Sequence, residues 1–582
     1  MIRKVRLESR MQRRRSGVAL VFVLVVIAML TYSAYTFTDL MVAEKEAAIL
    51  TGRQLQARAL VDSGVDHVRY FLEQPKADRI AEGGTFENPN WFQSIAVIPS
   101  QNPAERGRFT VVAPMMDSTG VYGGIRFGLE NESARLNLNA LNLELLDATE
   151  DDEGGEGDAG GNGGDAPTGG SPGGTPSPGG GGAPTGGGDA GLGDLAAAAE
   201  ELEELAADVS GQAMLMAIPG MTEDIADAIL DWIDEDDEVR PYGAEFSDYS
   251  SLGYAPKNGP LETIEELLMV RGVTPELLFG RDVNRNGIID THEQDLPLDI
   301  QFETADGSLD RGWSGLFTLY SKERNANIDG LQRIYLNAED LEQLHADLTE
   351  AVGEAWATFI VAYRQSGPLA DTNNDPNAPP VETEPPGDQP LDFTRPGEVK
   401  LTQVLDLVGV NVRANLAEGA GSVVLESPFP EDPLVMGTYL PLLMDNCTVN
   451  EAPVIPGRIN INQASATVLM TIPGITEEMV DAILSEREIT DDTVDENLRH
   501  ETWLLTRLIV SLDEMKLLQP FITASGDVYR AQVVGYFDEG AISSRAEVVI
   551  DASELMPRIL FWRDISHLGR GFGLETLGIM TN

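Results

Sequence analysis

From Val18 to Phe37, twenty consecutive residues carry no charge. At about 1.5 Å per residue, such a run crosses the ~30 Å hydrocarbon core of a bilayer. The helical spacing does not stop there. It continues through VAEKEAAILTGRQLQARALVDSGVDHVRYFL, and no proline interrupts it until Pro75. The pattern predicts one helix over Val18–Glu73, about 80 Å long.

The period then changes. Residues 107–141 alternate enough for two or three short strands, and 526–565 read as three strands joined by Gly-containing turns. Between these ends the text is helical and repeats itself. AMLMAIPGMTEDIADAILDWIDEDDE (213–238) returns as ATVLMTIPGITEEMVDAILSERE (466–488). Both read as helix, Pro-Gly turn, helix, with Gly220 and Gly474 at the turns and Thr222 and Thr476 as N-caps. A shorter echo occurs three times, as RLNLN (135–139), RIYLN (333–337) and RININ (458–462). Residues 149–194 are dominated by Gly, and Gly367–Gly397 is rich in Pro and Asp; both read as linkers. The economical reading is an α+β chain. Residues 76–148 and 521–582 make one antiparallel sheet, and 195–366 with 398–520 form a helical domain inserted between them.

Charge narrows the function. The net charge of −55 opposes nucleic acid and favours a cation partner. Helix-hairpin-helix units can bind DNA phosphates, but here the hairpins are followed by Glu223-Asp224 and Glu477-Glu478, which repel them. The single cysteine, Cys447, allows no internal disulfide, and the five histidines lack zinc-ligand spacing. No nucleophile–base set and no phosphate-binding loop appears, so the expectation is a protein that is not an enzyme.

The sharpest local motif is DVNRNGIIDTHE, which fits the twelve-residue Ca2+ loop. Asp282, Asn284, Asn286 and Asp290 would offer side-chain oxygens, the last through water. Ile288 would offer its carbonyl, Glu293 would close the shell with two oxygens, and Gly287 would make the sharp turn. A second candidate is DWIDEDDE, where Asp234, Asp236, Asp237 and Glu238 repel one another unless solvated or bridged by a cation.

Arg13–Arg15, then Ser16-Gly17, then the apolar run without a gap resembles the leader of type IV pilin-like proteins. The resemblance implies that a prepilin peptidase cuts after Gly17. Val18 would then become the N-methylated terminus, and the apolar helix would be retained as a filament core. Most such proteins carry Glu as the fifth mature residue; here it is Phe22. Its absence is similar to the general secretion pathway protein K family, the largest minor pseudopilins of type II secretion. Further matches are Arg135, Asn137 and Asn139, Ala226 to Glu238, Thr263 to Thr274, 458–488, Asp527–Arg530 and Trp562-Arg563. Segment 281–345 departs from the family's usual length. The resemblance implies a type IV pilin-like fold interrupted by a large helical domain, and Ca2+ as a ligand. It implies a non-catalytic tip subunit of the periplasmic pseudopilus, spanning the inner membrane once with its bulk in the periplasm. Its partners would be the major and other minor pseudopilins, and secreted proteins. Two other readings stay open: a type IV pilus tip subunit for adhesion or DNA uptake, and a Ca2+-dependent membrane-anchored binding module.

Overall fold

The computed structural model describes residues 15–117, 122–141, 211–294, 311–369, 382–387, 389–417, 421–487 and 498–579. The Gly-rich stretch 149–194 lies outside them.

Helix α1 (Arg15–Leu72) is continuous. Pro75 follows in extended backbone, at φ −51° and ψ 145°, and starts a short new helix. Along the first half of α1 the apolar side chains are exposed, from Val18 through Leu55, and this is the one described helix long and apolar enough to cross a membrane. From Ala57 the burial turns one-sided: Ala57, Leu60, Val61, Val65, Val68, Phe71 and Leu72 are buried at helical spacing.

What they cover is a seven-stranded antiparallel sheet. Its N-terminal strands are β1 (Ile95–Ile98), β2 (Gly107–Met116), β3 (Tyr122–Arg126) and β4 (Glu130–Asn131). Its C-terminal strands are β5 (Val528–Phe537), β6 (Ser543–Asp551) and β7 (Arg558–Asp564). The order is β1-β2-β5-β6-β7, with β3 on β2 and β4 on β5. The two chain ends therefore meet at the β2–β5 pair, where Val111 faces Val533 and Thr110 faces Val534. Alternation divides the sheet into two faces. Val111, Val533 and Val548 pack under α1 with Val65, Val68 and Phe71. Each such buried side chain contributes on the order of 1.5–3 kcal/mol. Val112, Val534 and Tyr536 point the other way, where Phe572, Leu577 and Ile288 cover them.

The insert is one core, running from Leu136 to Ile522. Its helix pairs are α2 (Gly211–Met216) with α3 (Glu223–Ile233), α4 (Leu341–Val352) with α5 (Glu354–Ser366), and α6 (Ala466–Leu469) with α7 (Glu477–Glu486). The middle pair answers the RIYLN echo. It lacks the Pro-Gly text, yet Gly353 turns it with φ 95°, beside 80° at Gly220 and 77° at Gly474. Thr476 caps α7 by accepting from Met479 N, whereas Thr222 stands at the same position of α3 without a capping hydrogen bond.

Each echo has a structural job. Leu136–Asn137, Ile334–Tyr335 and Ile459–Asn460 each pair in parallel with a later segment, at Phe317–Thr318, Cys447–Thr448 and Ile522–Thr523. The last Asn of the echo then clamps a distant peptide. Asn139 bonds both N and O of Leu261 (2.8 and 3.0 Å), and Asn337 does so with Leu401 (both 2.9 Å). Asn462 donates to the Leu498 and Ala524 carbonyls and accepts from Trp503 Nε1.

Of the stretch expected as a second linker, the described residues touch the insert at several points. Leu391 is buried, Pro368 bridges to Val412, Glu384 bridges to Leu425, and Arg364 donates to the Val399 carbonyl. The two halves of the insert share one core.

Candidate functional site

Residues 282–293 form a tight loop. Arg285 (φ 54°) and Gly287 (φ 78°) are both left-handed, and a Cβ on Gly287 would stand 2.9 Å from Pro114 Cγ on β2. Asp282 accepts from Asn286 N (3.0 Å) and Gly287 N (2.7 Å). Glu293 reaches back across the loop, accepting from Asn284 N (3.1 Å) and Asp290 N (2.9 Å). Asp290 Oδ2 accepts from the side-chain amides of Asn284 (2.7 Å) and Asn286 (3.0 Å). The side chains of Asp282, Asn284, Asn286, Asp290 and Glu293 are thus linked by hydrogen bonds within one loop, with the amide nitrogens of Asn284 and Asn286 turned toward Asp290. Ile288 N donates to Asn286 Oδ1 (2.8 Å), and its side chain joins the cluster on the outer face of the sheet. Burial, with Glu293 nearby, raises the Asp282 pKa against the pull of its two amide donors. His292, which the motif did not single out, lies with Nε2 3.8 Å from Glu293 Oε1.

The acidic stretch is placed differently from its expectation. Asp236, Asp237 and Glu238 are exposed. Asp236 accepts from Glu238 N, and Asp237 from the Asn258 side chain (2.9 Å). Only Asp234 turns inward, where it meets Arg240 beside the fully buried Asp231. The third member is Glu245, which sequence reasoning missed. It is 6% exposed and stands at the N-cap of the short helix 246–249, where the backbone amides of Phe246 and Asp248 face its carboxylate but no Lys or Arg pairs with it among the described residues. Burial, then Asp231 and Asp234, push its pKa up to about 7. The structure shows why it was missed: a Cβ at Gly243 would stand 1.9 Å from Asp231 Oδ2, so the chain returns to Asp231 at Gly243-Ala-Glu245, a contact that no local sequence pattern marks.

The two loops stand out by charge pairing. Of the buried carboxylates, Glu132, Asp231, Glu323, Glu501, Asp527 and Asp551 each lie within 4 Å of a Lys or Arg. Among the described residues, the exceptions are Asp282 and Glu293 in the first loop, and Glu245 and Asp227 beside the second. Buried anions are normally paired or bound to a metal. Buried acceptors without a donor among the described residues include Asn284 Oδ1 in the first loop and Asp234 Oδ1 and Asn258 Oδ1 in the second, and others lie elsewhere, at Asn325, Gln365, Gln403 and Gln519. Hard, oxygen-only donors of this kind suit Ca2+.

Between insert and sheet runs a seam of ion pairs around a cavity of about 60 Å³. Arg530 on β5 bridges Glu132 (2.6 Å) and Glu547 (2.8 Å). Arg135 and Arg311 hold Glu130, and Arg563 on β7 pairs with Glu265 of the insert. Burial would raise the Glu132 pKa, but Arg530 and Arg135 together hold it below the usual carboxylate value.

At the other end of the molecule, Gly17 and Val18 lie within the first turns of α1, and Phe22 is exposed on it.

Residues 134–279 match the family described as Type II secretion system (T2SS), protein K. No curated protein matches the chain. Among solved structures it is similar to a chain in the GspK-GspI-GspJ complex from the enterotoxigenic Escherichia coli Type 2 Secretion System. Identity is 12%, coverage is 90% of this chain and 99% of that one, and the TM-score is 0.32, too low to carry structural detail across.

Proposed function

We propose that the chain, whose residues 134–279 match the type II secretion system protein K family, is a minor pseudopilin seated at the tip of a periplasmic pseudopilus. The observation that carries the tip assignment is Phe22. A carboxylate in lipid is costly and is kept when it has a partner, such as the terminal ammonium of a neighbouring subunit. A tip subunit lacks one neighbour and can dispense with it. The exposed apolar half of α1 is the surface available for packing against the major pseudopilin and the membrane. An insert carrying most of the chain would obstruct addition of a further subunit above it.

In this reading prepilin peptidase cuts after Gly17 and Val18 becomes the methylated terminus. The periplasmic part joins other minor pseudopilins and engages secreted proteins. It does so without catalysis and without nucleic acid. Asp231, Asp234 and Glu245 would hold Ca2+, neutralising carboxylates that Arg240 alone does not balance. The test is to shear pseudopili from cells carrying a tagged chain. About one copy per filament, copurifying with smaller minor pseudopilins, is expected; label distributed along the filament would contradict the tip assignment.

A further inference from the structure

We infer that residues 282–293 form a second divalent-cation site, whose occupancy latches the inserted domain onto the outer face of the terminal sheet. The site lies in segment 281–345, outside the matched domain, and the inference holds whether or not the chain sits at a filament tip.

The cation part rests on the donor set and on charge. Glu293 is wholly buried, and among the described residues its carboxylate meets two backbone amides and the exposed His292 ring. Asp282 is 5% exposed and likewise lacks a cation within 4 Å. Of the nearby guanidinium groups, Arg285 and Arg311 are committed to Glu265 and Glu130, and Arg545 donates to the Asn284 carbonyl and acts on Asp282 from beyond ion-pair distance. Asn284 Oδ1 is buried without a donor. Three carboxylates and a stranded amide oxygen on a twelve-residue loop ask for one hard cation with six to eight oxygen ligands.

The latch part rests on what the loop touches. Its non-ligand backbone is held by the sheet. Arg545 on β6 donates to the Asn284 carbonyl, and Gln532 on β5 donates to the Arg285 carbonyl (2.6 Å). Asn286 Nδ2 donates to the Gly571 carbonyl (2.8 Å) in the C-terminal tail. Ile288 fills the cluster with Val112, Val534 and Phe572. These contacts use atoms outside the cation's expected shell, so the ion would shape the loop and the shaped loop would grip the sheet. Without the ion, Asp282, Asp290 and Glu293 repel one another, and the carbonyls offered to Arg545 and Gln532 lose their fixed positions.

The test is hydrogen exchange by mass spectrometry on the full chain in detergent, with Ca2+ or with a chelator. Free Ca2+ at about a hundred times Kd should slow opening about a hundredfold. That slowing is expected in peptides from 282–293 and from the tail 566–579. Glu293→Gln should abolish it. Glu245→Gln, which disables the other loop, should leave it in place. Calorimetry on the Glu245→Gln protein then reads the 282–293 site alone, and chelation of that same protein serves if Glu293→Gln fails to fold. No Ca2+ binding by Glu245→Gln protein would overturn the site. Binding with tail exchange unchanged would overturn the latch. Neither result bears on the pseudopilin assignment.

Discussion

Where β5 passes beneath α1, the fit leaves no room for a methyl group at Gly535. An added Cβ would stand 2.4 Å from the Ala57 carbonyl oxygen, 2.9 Å from Leu60 Cβ and 3.0 Å from Val61 N. Two of these are backbone atoms, so no rotamer change relieves the clash. Ordinary contact begins at 3.4 Å, so Gly535→Ala must lift the helix by about 1 Å over one turn, pulling Leu60 and Val61 off the sheet. Overpacking costs ~1–3 kcal/mol, and a backbone clash belongs at the upper end. At 1.36 kcal/mol per decade, about 3 kcal/mol is roughly a hundredfold in local opening. The chain holds two cores, so a single melting temperature is not the right readout. The assay is exchange of the amides paired between β2 and β5, which should accelerate about a hundredfold. Gly52→Ala on the same helix is the control. Nothing lies within 4 Å of its Cβ, and an exposed helical Gly→Ala should gain up to about 1 kcal/mol. Exchange in Gly535→Ala within about threefold of wild type would refute the close packing of helix on sheet.

Glu245 makes stability depend on pH. Its folded pKa of about 7 lies above the ordinary 4.5, so its contribution is present in full below 4.5 and lost as pH rises through 7. Without divalent ions, exchange across 231–258 should rise over that window and then level off, and Ca2+ or Glu245→Gln should flatten the profile. Asn462→Ala strips donors from two carbonyls and an acceptor from Trp503; exchange in the third helix pair should report a loss of about 2–3 kcal/mol. Glu132→Gln leaves Arg530 with Glu547 alone at the seam. It should cost about 3 kcal/mol, measured as protease sensitivity between insert and sheet.

Periodicity made the ends of the chain legible. The helical spacing of 57–72 and the alternation in 526–565 report burial on one side, which is what a helix on a sheet imposes, whereas the uncharged run from Val18 reports length alone. Strand β1 escaped because IAVI is a short apolar run whose burial does not alternate. The insert was legible as repeats but not as architecture. RLNLN, RIYLN and RININ advertised an equivalence, yet the clamp from Asn139 to Leu261 joins residues 122 apart in sequence, which no local window contains. The middle helix pair was missed because Gly353 turns it without the Pro-Gly text. Arg364 and Arg487 do the same work in two repeats, donating to the carbonyls of Leu336 and Ala338, and of Ile461 and Ala464. Nothing in their sequence neighbourhood announces it. At the candidate sites, the first loop was readable as a unit because all its candidate ligands are local. The second was misjudged because its buried carboxylates, Asp231 and Glu245, are separated by the exposed turn that drew attention.

The central claim is that the apolar helix belongs to a processed filament subunit and not to a plain anchor. Mass spectrometry of the N-terminus of the chain isolated from cell membranes tests it most directly. The account predicts a terminus at Val18 carrying one methyl group on its amine. A chain that retains residues 1–17 would contradict it.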